Sequence, residues 1–159
     1  MEPAVSGVLR TRVARQIDAD PTSTALLLAG PTALDLWPGV RRVGEAGGRV
    51  LVEARLRDVS HWPDDPVTTA AAVRALPPKR TPTSYVTRFA WTGPSLPVTT
   101  GELVLSYAPG SSGPATTAVL TLDSEGVQVS ALAADDLTAM SEGFLDNLAR
   151  AAEERSRAA

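Results

Sequence analysis

Apolar and polar residues alternate along most of this chain, and the period changes only near its end. In residues 8–17, VLRTRVARQI, the side chains of Leu9, Thr11, Val13 and Ile17 share one face while Arg10 and Arg12 take the other, which predicts a half-buried first strand. Asp20 ahead of Pro21 reads as an N-cap followed by a proline in the first helical turn, and the apolar stretch Leu26, Leu27, Leu28 ends at Gly30, so one short helix fits. A second brief helical turn from Thr32 through Leu36 must stop at Pro38-Gly39. Strands return at 40–45 and in RVLVEARLRDV, joined by Ala46-Gly47-Gly48 as a hairpin, with Val50, Val52, Ala54 and Leu56 on one face.

Residues 66–76, PVTTAAAVRAL, fit a helix by alanine content and a strand by alternation, and the strand is favoured. Residues 83–92 put Tyr85, Thr87, Phe89 and Trp91 on one face, 101–108 put Leu103, Leu105 and Tyr107 together, and 116–123 do the same for Ala118, Leu120 and Leu122. Leu137, Met140, Phe144, Leu148 and Ala151 are then three or four apart, an apolar stripe on a helix of about five turns. Asp135 and Asp136 suit its amino end, and Arg150, Arg155 and Arg157 its carboxyl end. Consecutive strands with short loops predict an antiparallel sheet, and one curved sheet closing on the last helix satisfies this α+β order. A single domain over 1–159 is expected, without internal repeats.

Composition narrows the functions. At 159 residues, with 43% hydrophobic and 21% charged, the chain can build a substantial core. Fifteen Lys and Arg against 18 Asp and Glu give a formal charge of −3, which offers no basic field for nucleic acid. The absence of cysteine excludes disulfides, thiolate nucleophiles and cysteine-based metal sites. No apolar signal region opens the chain and the longest apolar run is Ala25 to Ala29, so no membrane span is expected and a cytoplasmic location is. One lysine, Lys79, among many arginines and alanines points to a GC-rich bacterial genome.

Few residues carry obvious chemistry. His61-Trp62-Pro63-Asp64-Asp65 holds the single histidine beside two carboxylates, too few convergent ligands for a metal site, and neither metal nor cofactor is expected. Tyr85 and Tyr107 are the candidate acids, because their phenols fall on apolar strand faces; Arg55 and Arg88 fall on the opposite faces. Trp37 and Trp91 can gate or line a cavity or simply pack. Gly110-Ser111-Ser112-Gly113 lacks the lysine and following helix of a phosphate loop and reads as a hairpin loop. Hydrolase elbows, dinucleotide fingerprints and zinc helix motifs are absent.

Three phrases, in this order, carry a resemblance: DADPTSTALLLAGPTALDLWPGV, the passage from ALPPKR to FAWTGP, and SEGFLDNLARAAEERS. Together they resemble the START-like (SRPBCC) superfamily, in particular its polyketide cyclase and lipid-transport branch, over nearly the whole chain. The resemblance implies a helix-grip fold: a seven-stranded antiparallel sheet wrapped around the carboxyl-terminal helix, two short helices after the first strand, and an apolar cavity between sheet and helix. Alternation and the helix stripe then select the expected ligand-binding residues Val52, Ala54, Leu56, Tyr85, Thr87, Phe89, Trp91, Leu103, Leu105, Tyr107, Met140 and Phe144, around a cavity of roughly 300–1,000 Å³. The expected partner is a small or medium hydrophobic molecule, lipid-, polyketide- or isoprenoid-like, with a homodimer also allowed. Two alternatives stand beside this: a cyclase or aromatase using Tyr85 or Tyr107 as acid, and a protein-interaction module.

Overall fold

The computed structural model describes residues 9–29, 31–57, 66–93, 96–110, 113–125 and 131–158. Strand β1 (Leu9–Ile17) leads into helix α1 (Pro21–Leu26) and a 3-10 segment (Pro31–Leu36), followed by β2 (Val40–Ala46), β3 (Arg49–Arg57), β4 (Pro66–Ala75), β5 (Lys79–Arg80), β6 (Ser84–Gly93), β7 (Leu96–Gly110), β8 (Gly113–Glu125) and α2 (Ala131–Ala158). The seven long strands form one antiparallel sheet in the order β1-β8-β7-β6-β4-β3-β2, and the two-residue β5 adds to β6 off that path. Segment 66–75 is therefore a strand, its alternation outweighing alanine's helical preference once both neighbours, β3 and β6, supply ladder bonds.

Local signals explain the connections. Asp20 caps α1, its Oδ2 accepting from the Ser23 amide at 3.2 Å with Pro21 in the first turn. Gly47 and Gly48 have φ of 59° and 76°, the left-handed pair that a tight hairpin between β2 and β3 requires.

One face of the sheet holds the core: Val13, Ile17, Val52, Val73, Leu103, Leu105 and Leu120 meet Phe144, Leu145 and Leu148 of α2. Helix α2 has 28 residues, about 42 Å at 1.5 Å per residue, and is longer than the five turns expected. It starts at Ala131, so its first turn carries no acid and Asp135 and Asp136 fall one turn in, whereas Arg155 and Arg157 do occupy the last turn. Its buried face is also wider than the expected stripe, taking in Ser141, Leu145, Ala149 and Ala152, while Ala151 is half-buried at its margin. Arg15 of β1 pairs with Asp146 of α2, and the Asn147 amide donates to the Leu36 carbonyl at 2.8 Å, fixing the helix to the sheet edge and to the 3-10 segment. No helix among the described residues is long and apolar enough to cross a membrane.

Candidate functional site

A cavity of about 510 Å³ opens between the inner face of the sheet and the helical elements. Its floor comes from Val73 and Ala75 of β4, Thr87, Phe89 and Trp91 of β6, and Leu103 of β7. Its roof comes from Leu28, Ala33, Leu34, Trp37 and Phe144, and the β2–β3 turn, residues 45–50, closes one end. The roof residues sit there because Pro38-Gly39 end the 3-10 segment and leave Trp37 buried against α2.

Four aromatic rings form one continuous wall. Trp37 stacks on Phe144 at 4.4 Å and 21°, and meets Trp91 at 5.1 Å and Phe89 at 5.9 Å edge-to-face. Phe89 and Trp91 are 6.4 Å apart on one strand face. Such pairs add stabilisation beyond the area they bury, so this wall is set before anything binds. Phe89 lies over Gly101, its directly paired residue on β7, so closely that a Cβ there would stand 2.1 Å from the ring. Among the described residues, the charged side chains in the lining are Glu45 and Arg49 at the turn end.

Among the residues expected to bind, Thr87, Phe89, Trp91, Leu103 and Phe144 line this cavity together. Val52, Leu105 and Met140 do not; at 1%, 0% and 8% exposure they are packed core. Alternation gave their face correctly, but other side chains cover them. Ala54 and Leu56 lie on β3, and the structure describes their backbone and not their side chains.

The tyrosines lie elsewhere. Tyr85 and Tyr107 both line a separate cleft of about 510 Å³ with Asp20, Arg80 and Pro114, where the Arg80 guanidinium sits 5.9 Å from the Tyr85 ring centroid. Tyr107, expected on the inner face of its strand, is 55% exposed. Its strand runs on past the start of β6, where Ser84 pairs with Ser106, and the Tyr107 amide donates to the Thr83 carbonyl at 3.0 Å. Hydrogen bonding from Ser23, its side chain first, holds the Asp20 carboxyl below the usual carboxylate range. Arg88 is ion-paired to Glu102 at 3.0 Å on the outer face, as alternation indicated. His61, Trp62, Asp64, Asp65 and the Ser111-Ser112 pair lie outside the described residues, and the Arg55 side chain is likewise not described. Among the described residues no group of three or more His, Asp or Glu can hold a metal.

Sequence reasoning did not single out Leu28, Leu34, Val50, Val73 or Gly101 as site residues. Val50 and Val73 were legible, because they share the inward faces of their strands. A glycine inside an alternating strand was the signal for Gly101, since it marks a close approach.

No protein-family model matches the chain, and no curated protein matches it. Solved structures do. The chain is similar to a conserved protein from Geobacillus kaustophilus, with a TM-score of 0.62 at 12% identity over 92% of this chain and 96% of that one. It is similar to the Zhui aromatase/cyclase from Streptomyces sp. R1128, with a TM-score of 0.57 at 18% identity over 96% and 98%. A protein from Thermus thermophilus, TTHA0849, gives a TM-score of 0.56 at 16% identity over 93% and 99%. At these identities the likeness is one of fold, and the fold is the helix-grip, one curved antiparallel sheet around a long carboxyl-terminal helix, that the sequence resemblance implied.

Proposed function

We propose that this chain binds a small or medium hydrophobic molecule, of lipid-, polyketide- or isoprenoid-like size, in the cavity between sheet and α2. The observation that carries this is the aromatic wall of Trp37, Phe89, Trp91 and Phe144 beside about 510 Å³ of space, in the range of small-molecule sites. A cavity lined this way gains by taking apolar surface out of water. The likeness to an aromatase/cyclase keeps a ring-closing activity in view as a second reading. The separation of Tyr85 and Tyr107 from the aromatic cavity favours binding over proton transfer by those phenols.

Titration with 1-anilinonaphthalene-8-sulfonate tests the binding reading. The expected result is one blue-shifted site per chain that Ala75→Trp, which fills the space beside the exposed lining residue Ala75, weakens by ~10-fold or more, about 1.4 kcal/mol, with the melting midpoint retained. Probe binding that Ala75→Trp leaves intact points to an outer apolar patch and a protein-interaction role instead.

A further inference from the structure

The lining of the aromatic cavity is not evenly exposed. Trp37, Val73, Trp91, Leu103 and Phe144 are buried, whereas Ala75 and the run from Glu45 to Arg49 meet solvent. The β2–β3 turn therefore forms the solvent-facing rim, and the rings lie at the inner end. Gly47 and Gly48 leave open space along this rim, since a Cβ at either position would meet nothing within 4 Å. An apolar molecule with one charged end can sit here in only one sense. Its hydrocarbon gains by leaving water beside the rings, while a charged head taken among them would lose its hydration, so the head stays at the turn.

The charges around the turn differ in what they leave available. Asp35 accepts from Arg42 Nε and Nη2, each at 2.8 Å, and Glu53 accepts from Arg41. Glu45 lies in the field of Arg42 and borders a neighbouring depression together with it. Arg49 differs from these: among the described residues its side chain has no ion-pair or hydrogen-bonding partner. Each acid beside the rim thus has a cation, and one cation in the cavity lining is left over. A guanidinium presents paired donors in one plane, the geometry that a carboxylate accepts.

We propose that the cavity takes an anionic amphiphile of the fatty-acid type, with its chain against the aromatic wall and its carboxylate at Arg49. This rests on the cavity-binding reading above and adds to it the class of the ligand and the sense in which it enters. Arg49 is then a specificity residue, choosing among molecules whose apolar parts bind alike.

Isothermal titration calorimetry with decanoate, 1-decanol and decyltrimethylammonium, alkyl probes that differ in the head group, tests this on the wild-type chain, Arg49→Gln and Arg49→Lys. Arg49 is exposed, so both variants should keep the wild-type melting midpoint. Expected is a loss of decanoate affinity in Arg49→Gln of about 3- to 5-fold, the upper range for an ion pair in contact with solvent, without a matching loss for 1-decanol. Arg49→Lys should keep most of the decanoate affinity, and added salt should shrink the difference between the wild-type chain and Arg49→Gln. Decanoate affinity that Arg49→Gln leaves unchanged, equal losses for decanoate and 1-decanol, binding of 1-decanol but not of decanoate, or tighter binding of decyltrimethylammonium than of decanoate each overturn the proposal and leave cavity binding standing. If none of the three probes binds the wild-type chain, the cavity-binding reading falls and this inference falls with it.

Discussion

Replacing Gly101 with alanine should close part of the cavity from below. The new Cβ would stand 2.1, 2.3 and 2.8 Å from Phe89 Cζ, Cε2 and Cε1. Carbon atoms rest at about 3.5–4.0 Å, so the ring must withdraw by roughly 1.5 Å. The sheet lies behind it, and Trp37 and Trp91 flank it at 5.9 and 6.4 Å, which leaves the cavity as the direction of retreat. Overpacking of this kind costs about 1–3 kcal/mol. The lower unfolded-state entropy of alanine returns about 0.4–1 kcal/mol. A net loss of about 1–2 kcal/mol should lower the melting midpoint by about 2–8 °C for a chain of this size. Thermal unfolding followed by near-ultraviolet circular dichroism reads that shift, and titration with fluorene reads the lost volume. In the double variant Phe89→Ala/Gly101→Ala the second change should cost almost nothing, a coupling of about 0.5–3 kcal/mol. A melting midpoint unchanged by Gly101→Ala, or strictly additive effects in the double variant, would refute the collision as the controlling contact.

Leu148→Ala should cost about 2–5 kcal/mol, since this side chain is fully buried, and Met140→Ala should fall in the same range with little effect on ligand, because Met140 is core rather than cavity wall; denaturant midpoints at constant slope check both. Asp20→Ala should cost about 0.5–2 kcal/mol through loss of the cap. Because Ser23 lowers the folded-state pKa of Asp20, its stabilising contribution is complete above the unfolded value of ~3.9 and disappears as pH falls through the lower folded value; Asp20→Asn should keep the cap and lose this acid dependence in a pH series of unfolding midpoints. Tyr85→Phe and Tyr107→Phe should each change ligand affinity by no more than about 1.5 kcal/mol, and a turnover that fell about 10²- to 10⁴-fold in either variant would show that these phenols do reach a substrate.

What could be read from the sequence was what local chemistry decides. The Asp20-Pro21 cap, the Gly47-Gly48 turn and the alternation of 66–75 depend on neighbours within a few residues, and each gave its element. The cavity depends on distant pairings. Alternation places Val52, Leu105 and Phe89 on the inner face alike, yet only Phe89 lines the cavity, because that is decided by where α2 and the 3-10 segment come to rest. Tyr107 follows the same rule: its strand face was legible, but it lies near the end of β7 in the cleft shared with Asp20 and Pro114 and stays 55% exposed, a position no single strand reveals. Helix periodicity gave Met140, Phe144 and Leu148 but undercounted the small residues Ala149 and Ala152, whose burial reflects how closely α2 approaches its neighbours rather than how apolar they are.

Native mass spectrometry of the chain purified from its own host tests the binding claim most directly, because it asks whether the cavity carries a molecule without presupposing which one. The account predicts a non-covalent adduct of one defined mass, at one per chain, that excess fluorene displaces. The bare chain mass alone, both from the host and after incubation with fluorene, would contradict it.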